Sequence, residues 1–553
     1  MRGRIFASMT VFGVKGRRSF SELISIKAMT GTVKNPTYAD AIKRLNSCQS
    51  GWELLEARRE AGLKLDQSAV EAMRRWSRRI GYQTSDFDKL NIVHVAGTKG
   101  KGTTCAFVNS MLTSVQKTLG KPGKIGLYTS PHLVSVRERI RINSEPITEE
   151  QFAKYFFEVW EGLERASLAA NEDPAVKPVY FRYLTLLSFH VFMREKVDTA
   201  VYEVGVGGEL DSTNIVEKPA VTGVTTLGID HVQSLGETID LIAWHKAGIF
   251  KPGVPAYSVN QVAIADPVLL NRAKEKNVDL RWLNINTALK DVKLKPAETF
   301  QFKNASIAVA LTAEVLRKLG ISVKENEDGT AEVVDEGIPH PSPPQKTHPP
   351  PKVLPEEFVQ GLESVVWRAR CETKTIGKQR YFLDGAHTED SLEVASDWYG
   401  RTVASSNAKR ILIFNQQSLR DASGLMRTVF FNLRDKWNVK FDYVIFCTNV
   451  TYKDHRWKLD FVNFNVDPSE LRSLTLQKSL QEEWQELDPK ATVLAMPTIE
   501  DAQLEVERIS KDVGEIDAMV TGSFHLVGGI LSLLEGEHYG LESTTKLDEV
   551  KGN

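Results

Sequence analysis

Short, β-rich apolar runs alternate along this chain with longer stretches in which apolar positions recur every three to four residues. The runs fall at 91–96, 124–128, 199–204 and 220–226, and again at 380–384, 410–415, 443–448, 491–495 and 518–522. Helical periodicity covers 38–45, 67–80, 149–163 and 180–194, and Cys105 to Leu112 reads as the first turns of another helix. Strands alternating with helices imply parallel sheets covered on both faces. The pattern predicts an α/β chain with a larger unit over 29–321 and a smaller, Rossmann-like unit over 362–546. Between them, 322–355 is dominated by Glu, Asp, Gly and Pro, with Pro341-Ser342-Pro343-Pro344 and His348-Pro349-Pro350-Pro351 inside it. Such a composition buries little, so 322–361 reads as a Pro-rich insertion or linker.

The chain has 553 residues, 42% hydrophobic and 25% charged, with a formal net charge of −1. That length suits several domains, and the charge gives no global argument for nucleic acid or a membrane surface. No apolar run is long enough to span a bilayer. Cys48, Cys105, Cys371 and Cys447 are far apart and form no CxxC pair, which argues against structural zinc and fits a reducing compartment. Over 1–28, Arg2, Arg4, Lys15, Arg17, Arg18 and Lys27 stand against the single acid Glu22. That is the composition of a mitochondrial transit segment; an ordinary basic tail is the plain alternative. A second start at Met29 gives a cytoplasmic form beside the mitochondrial matrix one.

One stretch carries specific chemistry. The run 91–96 leads into Gly97-Thr98-Lys99-Gly100-Lys101-Gly102-Thr103-Thr104, and a helix follows. Strand, glycine turn and helix present backbone N–H groups and a helix N-terminus to a phosphate. Lys101 reaches the terminal phosphates, and the Thr103 hydroxyl joins a Mg²⁺ shell. The spacing departs from the usual pattern, since Val95 stands where a glycine is asked for. The plain reading is a glycine-rich turn with a stray lysine, but the flanking strand and helix supply the required context. The first unit is therefore expected to be a P-loop parallel-sheet ATPase domain.

In parallel sheets ligands sit beyond the carboxyl ends of the strands. Ser130, Glu203, Asp230 and His231 stand there in the first unit, and Asp384 and His387 in the second. Arg370 lies just before the second unit's first clear strand, and Lys246 lies on a short helix. Each has a bland reading alone: a salt-bridged acid, a capping histidine, a surface lysine. Two units offering such groups point to one site in the cleft between them, closed by domain movement.

These stretches resemble folylpolyglutamate synthases, members of the Mur-ligase superfamily. The matching segments are Gly97 to Thr104; Tyr128-Thr129-Ser130-Pro131-His132-Leu133; Arg137 to Asn143; Glu203 to Gly208 with Asp211-Ser212-Thr213-Asn214; Gly228-Ile229-Asp230-His231; Lys246-Ala247-Gly248-Ile249; Asp384-Gly385-Ala386-His387; and Thr521 to Gly529. They run in family order from about residue 38 to 530, and the short P-loop is the form this superfamily uses. The resemblance implies that Gly100, Lys101, Gly102 and Thr103 hold ATP phosphates. It implies that Ser130, Glu203 and His231 bind Mg²⁺, with Glu203 shared between two ions. Lys246 matches a lysine that becomes carbamylated and, with Lys101, belongs to the catalytic set. Asn304 matches a residue near the adenine, and Arg370 and Asp384 reach ATP from the second unit. A monovalent cation such as K⁺ is compatible with this set.

The implied reaction activates the terminal γ-carboxylate of tetrahydrofolate or its polyglutamates as an acyl phosphate, which the amine of L-glutamate attacks. The implied enzyme is a monomer without nucleic-acid partners, and peripheral association with a mitochondrial membrane is compatible with it. Two departures stand out: Thr388-Glu389 replaces a frequent Asn-Pro, and Trp367-Arg368-Ala369-Arg370 replaces Trp-Pro-Gly-Arg. A dihydrofolate synthase, alone or combined with this activity, shares the same ATP motifs. A P-loop switch that ligates nothing needs only Gly100 to Thr103.

Overall fold

The computed structural model describes residues 35–60, 67–337, 346–417, 421–453, 459–462 and 468–536. The expected leader, 1–28, and Met29 lie outside the described residues, as does 338–345. Two sheets organise the rest.

The first has eight strands: β1 (Val93–Ala96), β2 (Ile125–Tyr128), β3 (Ile140–Ile142), β4 (Glu145–Pro146), β5 (Thr199–Glu203), β6 (Val221–Val224), β7 (Ala256–Val259) and β8 (Leu280–Leu283). Their order is β4-β3-β2-β5-β1-β6-β7-β8. From β2 to β8 neighbours run parallel, and β3 and β4 add an antiparallel margin. β1 and β5 are buried along their whole length, as expected of parallel strands covered on both faces. Side chains alternate between faces along a strand. Tyr128 and Tyr202 join an aromatic cluster with Phe156, Tyr183 and Phe189 on one face. Val93, Val95 and Val201 pack on the other face with Phe107, Met111 and Leu311, from the helices Lys101–Leu119 and Thr299–Lys318. The same alternation puts Glu203, two residues after Val201, on the face of the glycine-loop helix.

The stretch 322–361 differs from its expectation as an unpacked insertion. β9 (Ile321–Glu325) and β10 (Ala331–Asp335) form an antiparallel hairpin. Beyond it the Thr347 N–H donates to Asp279 at 2.6 Å, the His348 N–H to the Tyr257 hydroxyl at 2.9 Å, and Asn286 Nδ2 to the Pro351 carbonyl at 3.0 Å. The helix Glu356–Glu363 buries Phe358 and Leu362 against the glycine-loop helix. Composition counts apolar side chains. It misses backbone groups caught by polar side chains at the β7–β8 margin, and a short helix whose few apolar residues share one face.

The second sheet has β11 (Glu372–Ile376), β12 (Gln379–Leu383), β13 (Lys409–Phe414), β14 (Tyr443–Cys447), β15 (Thr492–Met496) and β16 (Ile516–Thr521). The order is β11-β12-β16-β13-β14-β15, parallel except for β11. The four cysteines form no disulfide.

The two units grip each other away from the cleft. A Cβ at Gly528, in the helix Phe524–Glu535, would collide with the Leu133 carbonyl of the first unit, so only glycine permits that approach. Asp460, buried, accepts from the Tyr38 hydroxyl at 2.6 Å and the Val136 N–H at 2.7 Å, and its carbonyl accepts from His132 Nε2 at 3.0 Å. Hydrogen bonds to a buried carboxylate are worth about 1.5–3 kcal/mol each, more when a donor is left unpaired. Asp460→Ala is therefore expected to lower the stability of the docked pair by about 3 kcal/mol, and Tyr38→Phe by about 1 kcal/mol. Urea unfolding followed by tryptophan fluorescence measures both.

Candidate active site

The glycine loop is held from beneath by the end of β6. The Thr98 and Lys99 N–H groups both donate to the Thr226 carbonyl at 3.0 Å, and Thr225 Oγ1 donates to the Lys99 carbonyl at 2.7 Å. Gly97 has φ +149°, and a Cβ there would collide with Thr225 Oγ1. Gly100 has φ +82°, begins the helix Lys101–Leu119, and lies under Asn304, whose amide a Cβ would strike. The first N–H groups of that helix have no partner within it and face outward with the positive end of its dipole. Lys101 Nζ turns back to the Thr98 carbonyl at 3.4 Å.

Glu203 ends β5 beside this loop, with its carboxylate accepting the Ser130 N–H at 2.9 Å. A Cβ on Gly102 would sit 3.4 Å from that carboxylate and 3.3 Å from the Trp367 ring of the chain leading into the second unit. Burial raises the Glu203 pKa, and Lys101, the Ser130 N–H, Arg370 and Arg139 pull it back down. Ser130, Glu203, Lys101 and Gly102 are thus brought together, with Trp367 and Arg370 approaching from the other unit.

Lys246 is 3% exposed, with Nζ donating to the Gly97 carbonyl at 2.8 Å. Burial, reinforced by Lys101, lowers its pKa well below 10.5, against opposing pulls from Asp230 and Asp211. An amine so placed is held toward its neutral, nucleophilic form. Asp211, within the Asp211-Ser212-Thr213-Asn214 segment, orders the loop after Glu203. Its carboxylate accepts the Val206 N–H and the Thr213 N–H, each at 2.9 Å, and the Thr213 hydroxyl at 2.6 Å. His94 Nε2 meets that hydroxyl at 2.8 Å, and burial pushes the His94 pKa down to about 3.

In the second unit Asp384 accepts the Cys371 N–H at 2.8 Å and the Ala386 N–H at 2.9 Å. Burial raises its pKa, and Arg370 lowers it. The Arg370 guanidinium lies 4.4 Å from the Phe524 ring centroid. The turn that aims it carries φ +58° at Ala369 and φ +47° at Cys371. Ala369 is not a glycine, so its left-handed φ costs about 1 kcal/mol. Arg368, in the proline's place, donates to Glu372 at 2.9 Å and to Glu535 at 2.6 Å, which secures the turn another way. His387 Nδ1 bonds the Gly385 carbonyl at 2.8 Å.

His231 begins a one-turn helix at φ +52°, with its side chain 40% exposed and Asp230 3.8 Å from Nε2. Among the described residues no three His, Cys, Asp or Glu side chains converge on one point. The donor set suits Mg²⁺ nonetheless, because Mg²⁺ takes one or two carboxylates and completes its shell with water and phosphate oxygens. The buried Glu203 carboxylate beside Ser130 is a donor of that type.

A helix N-terminus, two lysines and a buried acid facing the arginine and aspartate of a second Rossmann-like unit define a two-domain P-loop α/β enzyme of Mur-ligase-like architecture. A folylpolyglutamate synthase of Neurospora crassa is 49% identical to this chain over 510 residues, 90% of this chain and 92% of that protein. One from Saccharomyces cerevisiae (strain FostersO) is 44% identical over 515 residues, 91% of this chain and 89% of that protein. The chain belongs to the folylpolyglutamate synthase family. No protein-family model matches it. Solved structures share its fold. The Mycobacterium tuberculosis folylpolyglutamate synthase with ADP and AMPPCP has TM-score 0.60 and 20% identity, covering 91% of this chain and all (100%) of that one. E. coli FolC with DHPP and ADP has TM-score 0.60 and 20% identity, covering 91% and 99%.

The lowered Lys246 pKa makes a pH prediction. The unfolded chain binds this proton more readily than the folded one, so stability rises with pH from the folded value up to 10.5 and is lost as pH falls back through it. Lys246→Met removes this slope. Denaturant midpoints of the two proteins at several pH values below 10.5 are expected to converge as pH rises, with the wild type the more pH-dependent.

Proposed function

We propose that this chain catalyses the ATP-dependent addition of L-glutamate to the γ-carboxylate of tetrahydrofolate or its polyglutamates. The observation that carries the reading is that the glycine loop at Gly102, the buried Glu203 carboxylate and the Trp367 ring of the chain leading into the second unit meet at one place, with a Cβ on Gly102 3.4 Å from the carboxylate and 3.3 Å from the ring. The family's name and the ADP-bound relatives support it.

In the reaction a γ-carboxylate oxygen attacks the terminal phosphorus of ATP and ADP leaves. The glutamate amine then attacks the acyl carbon, loses a proton, and phosphate departs. The helix N-terminus at Gly100 to Thr103 binds the phosphates, and Lys101 and Arg370 offset charge that grows on the transferred group. Ser130, Glu203 and His231 would hold Mg²⁺, which supplies Lewis-acid stabilisation of the phosphoryl oxygens when bound. Lys246, its pKa lowered by burial beneath Gly97, matches the family lysine that captures CO₂ as a carbamate, whose negative charge would attract a cation where an ammonium would repel it. Asn304 closes over Gly100 on the adenine side. Asp384 fixes the turn that presents Arg370.

We further propose a mitochondrial matrix form and a cytoplasmic form beginning at Met29, and a monomeric enzyme. No helix of the described residues is long and apolar enough to cross a membrane.

Incubation with tetrahydrofolate, labelled glutamate and MgATP, with products resolved by mass, tests the activity; dihydropteroate in place of tetrahydrofolate tests the dihydrofolate synthase alternative. Lys101→Ala and Glu203→Ala are each expected to lower kcat/KM about a hundredfold or more, roughly 3 kcal/mol. Near-normal turnover of either variant contradicts the site.

A further inference from the structure

We propose that Lys99 is a positioning residue for the ligation, tying the glycine loop to the second unit and so setting the closure of the cleft. This rests on reading the cleft as the ligation site.

The loop carries two lysines that do different things. Lys101 folds back on Thr98 within the loop. Lys99 crosses the cleft: its Nζ donates to Thr388 Oγ1 at 2.6 Å and lies 3.0 Å from Asp390 Oδ2. Thr388 is the N-cap of the helix Glu389–Val403, and its hydroxyl also meets Ser391 Oγ at 2.8 Å. Lys99 is therefore seated in the capping box of that helix. Gly228 lies beside the same contact: a Cβ there would sit 3.7 Å from Asp390, 3.8 Å from Thr98 and 4.0 Å from Lys99.

The other end of the helix is tied as well. Arg401 pairs with Glu298 at 2.6 Å. Glu298 is the N-cap residue of the helix Thr299–Lys318, the element whose Asn304 closes on Gly100. One helix of the second unit, about 20 Å long, thus grips the glycine loop at its start and the Asn304 helix near its end. Its chain comes directly from Asp384, the residue that fixes the Arg370 turn. Holding the helix against both elements sets how Arg370 and Asp384 meet Glu203 and Lys101.

The contacts suit a latch that breaks and re-forms. The Asp390 side chain is 73% exposed and Arg401 52% exposed, and exposed ion pairs are weak and screened by salt. Thr388 is the first residue of the Thr388-Glu389 departure from the family's frequent Asn-Pro, so the hydroxyl that receives Lys99 belongs to that departure, and the Asp390 carboxylate follows it.

The test uses the full chain and three readouts: steady-state kinetics, AMPPCP affinity, and radius of gyration by small-angle scattering with AMPPCP bound. The variants are Lys99→Met, Lys99→Arg, and the pair Thr388→Val with Asp390→Asn. Lys99→Met is expected to lower kcat about tenfold and to enlarge the nucleotide-bound molecule, with AMPPCP affinity within about twofold of wild type. The Thr388→Val/Asp390→Asn protein is expected to show the same split, adding Lys99→Met to it is expected to change nothing more, and Lys99→Arg is expected to restore turnover. Weakened AMPPCP binding in Lys99→Met alone, with the Thr388/Asp390 protein like wild type, would make Lys99 a phosphate ligand and overturn the proposal. So would wild-type kinetics and dimensions in every variant. Absence of ligation product from the wild type would instead sink the reading of the site, and the scattering comparison would still decide the latch.

Discussion

A carboxylate buried at the tip of β5 is the point on which this molecule depends. Glu203 is out of water, so its charge is costly unless neighbours answer it. Those neighbours come from separate pieces of chain: Lys101 from the glycine loop, the Ser130 N–H from the end of β2, and Arg370 from the second unit. The glycine loop, the end of β2 and one residue of the second unit together answer the acid.

The rest of the fold is arranged to keep those pieces within reach. Thr225 and Thr226 fix the loop from below, and Asn304 fixes it from the side. Asp211 orders the chain after Glu203, and Asp460 and Gly528 dock the second unit on the loop that starts at Ser130. Lys246 sits in the layer beneath, where burial and the Lys101 charge lower its pKa well below 10.5. Two buried groups of opposite type, an acid pushed up and an amine pushed down, lie around one loop; such a pairing is characteristic of catalytic ground.

Much of this was legible in the residues. Apolar runs bounded by glycine and polar residues announced the parallel strands, and the strand–glycine–helix grammar announced the cradle, because both follow from local geometry. The strand tips of β5 and β12 located Glu203 and Asp384 for the same reason, whereas His231 stands well beyond β6, at the start of a one-turn helix. What the sequence hid depends on distant partners. β3, β4 and β11 are short marginal strands whose pairing is decided by their neighbours. The Pro-rich stretch looked unpackable because its anchors, Asp279, Tyr257 and Asn286, lie far upstream. Asp460, the Lys99 crossing and the Trp367 ring over Gly102 carry no local signature. Nor does anything local announce the left-handed φ of +58° at Ala369.

If Glu203 is where the two units meet chemically, its energetic coupling to Arg370 should exceed that of two independent site residues. A double-mutant cycle with Glu203→Gln and Arg370→Gln, read as kcat/KM for ATP, measures this directly. The account predicts a coupling of about 1.5 kcal/mol or more between the two positions. Additive effects, within about 0.5 kcal/mol, would mean that the acid and the arginine serve separate sites and would contradict it.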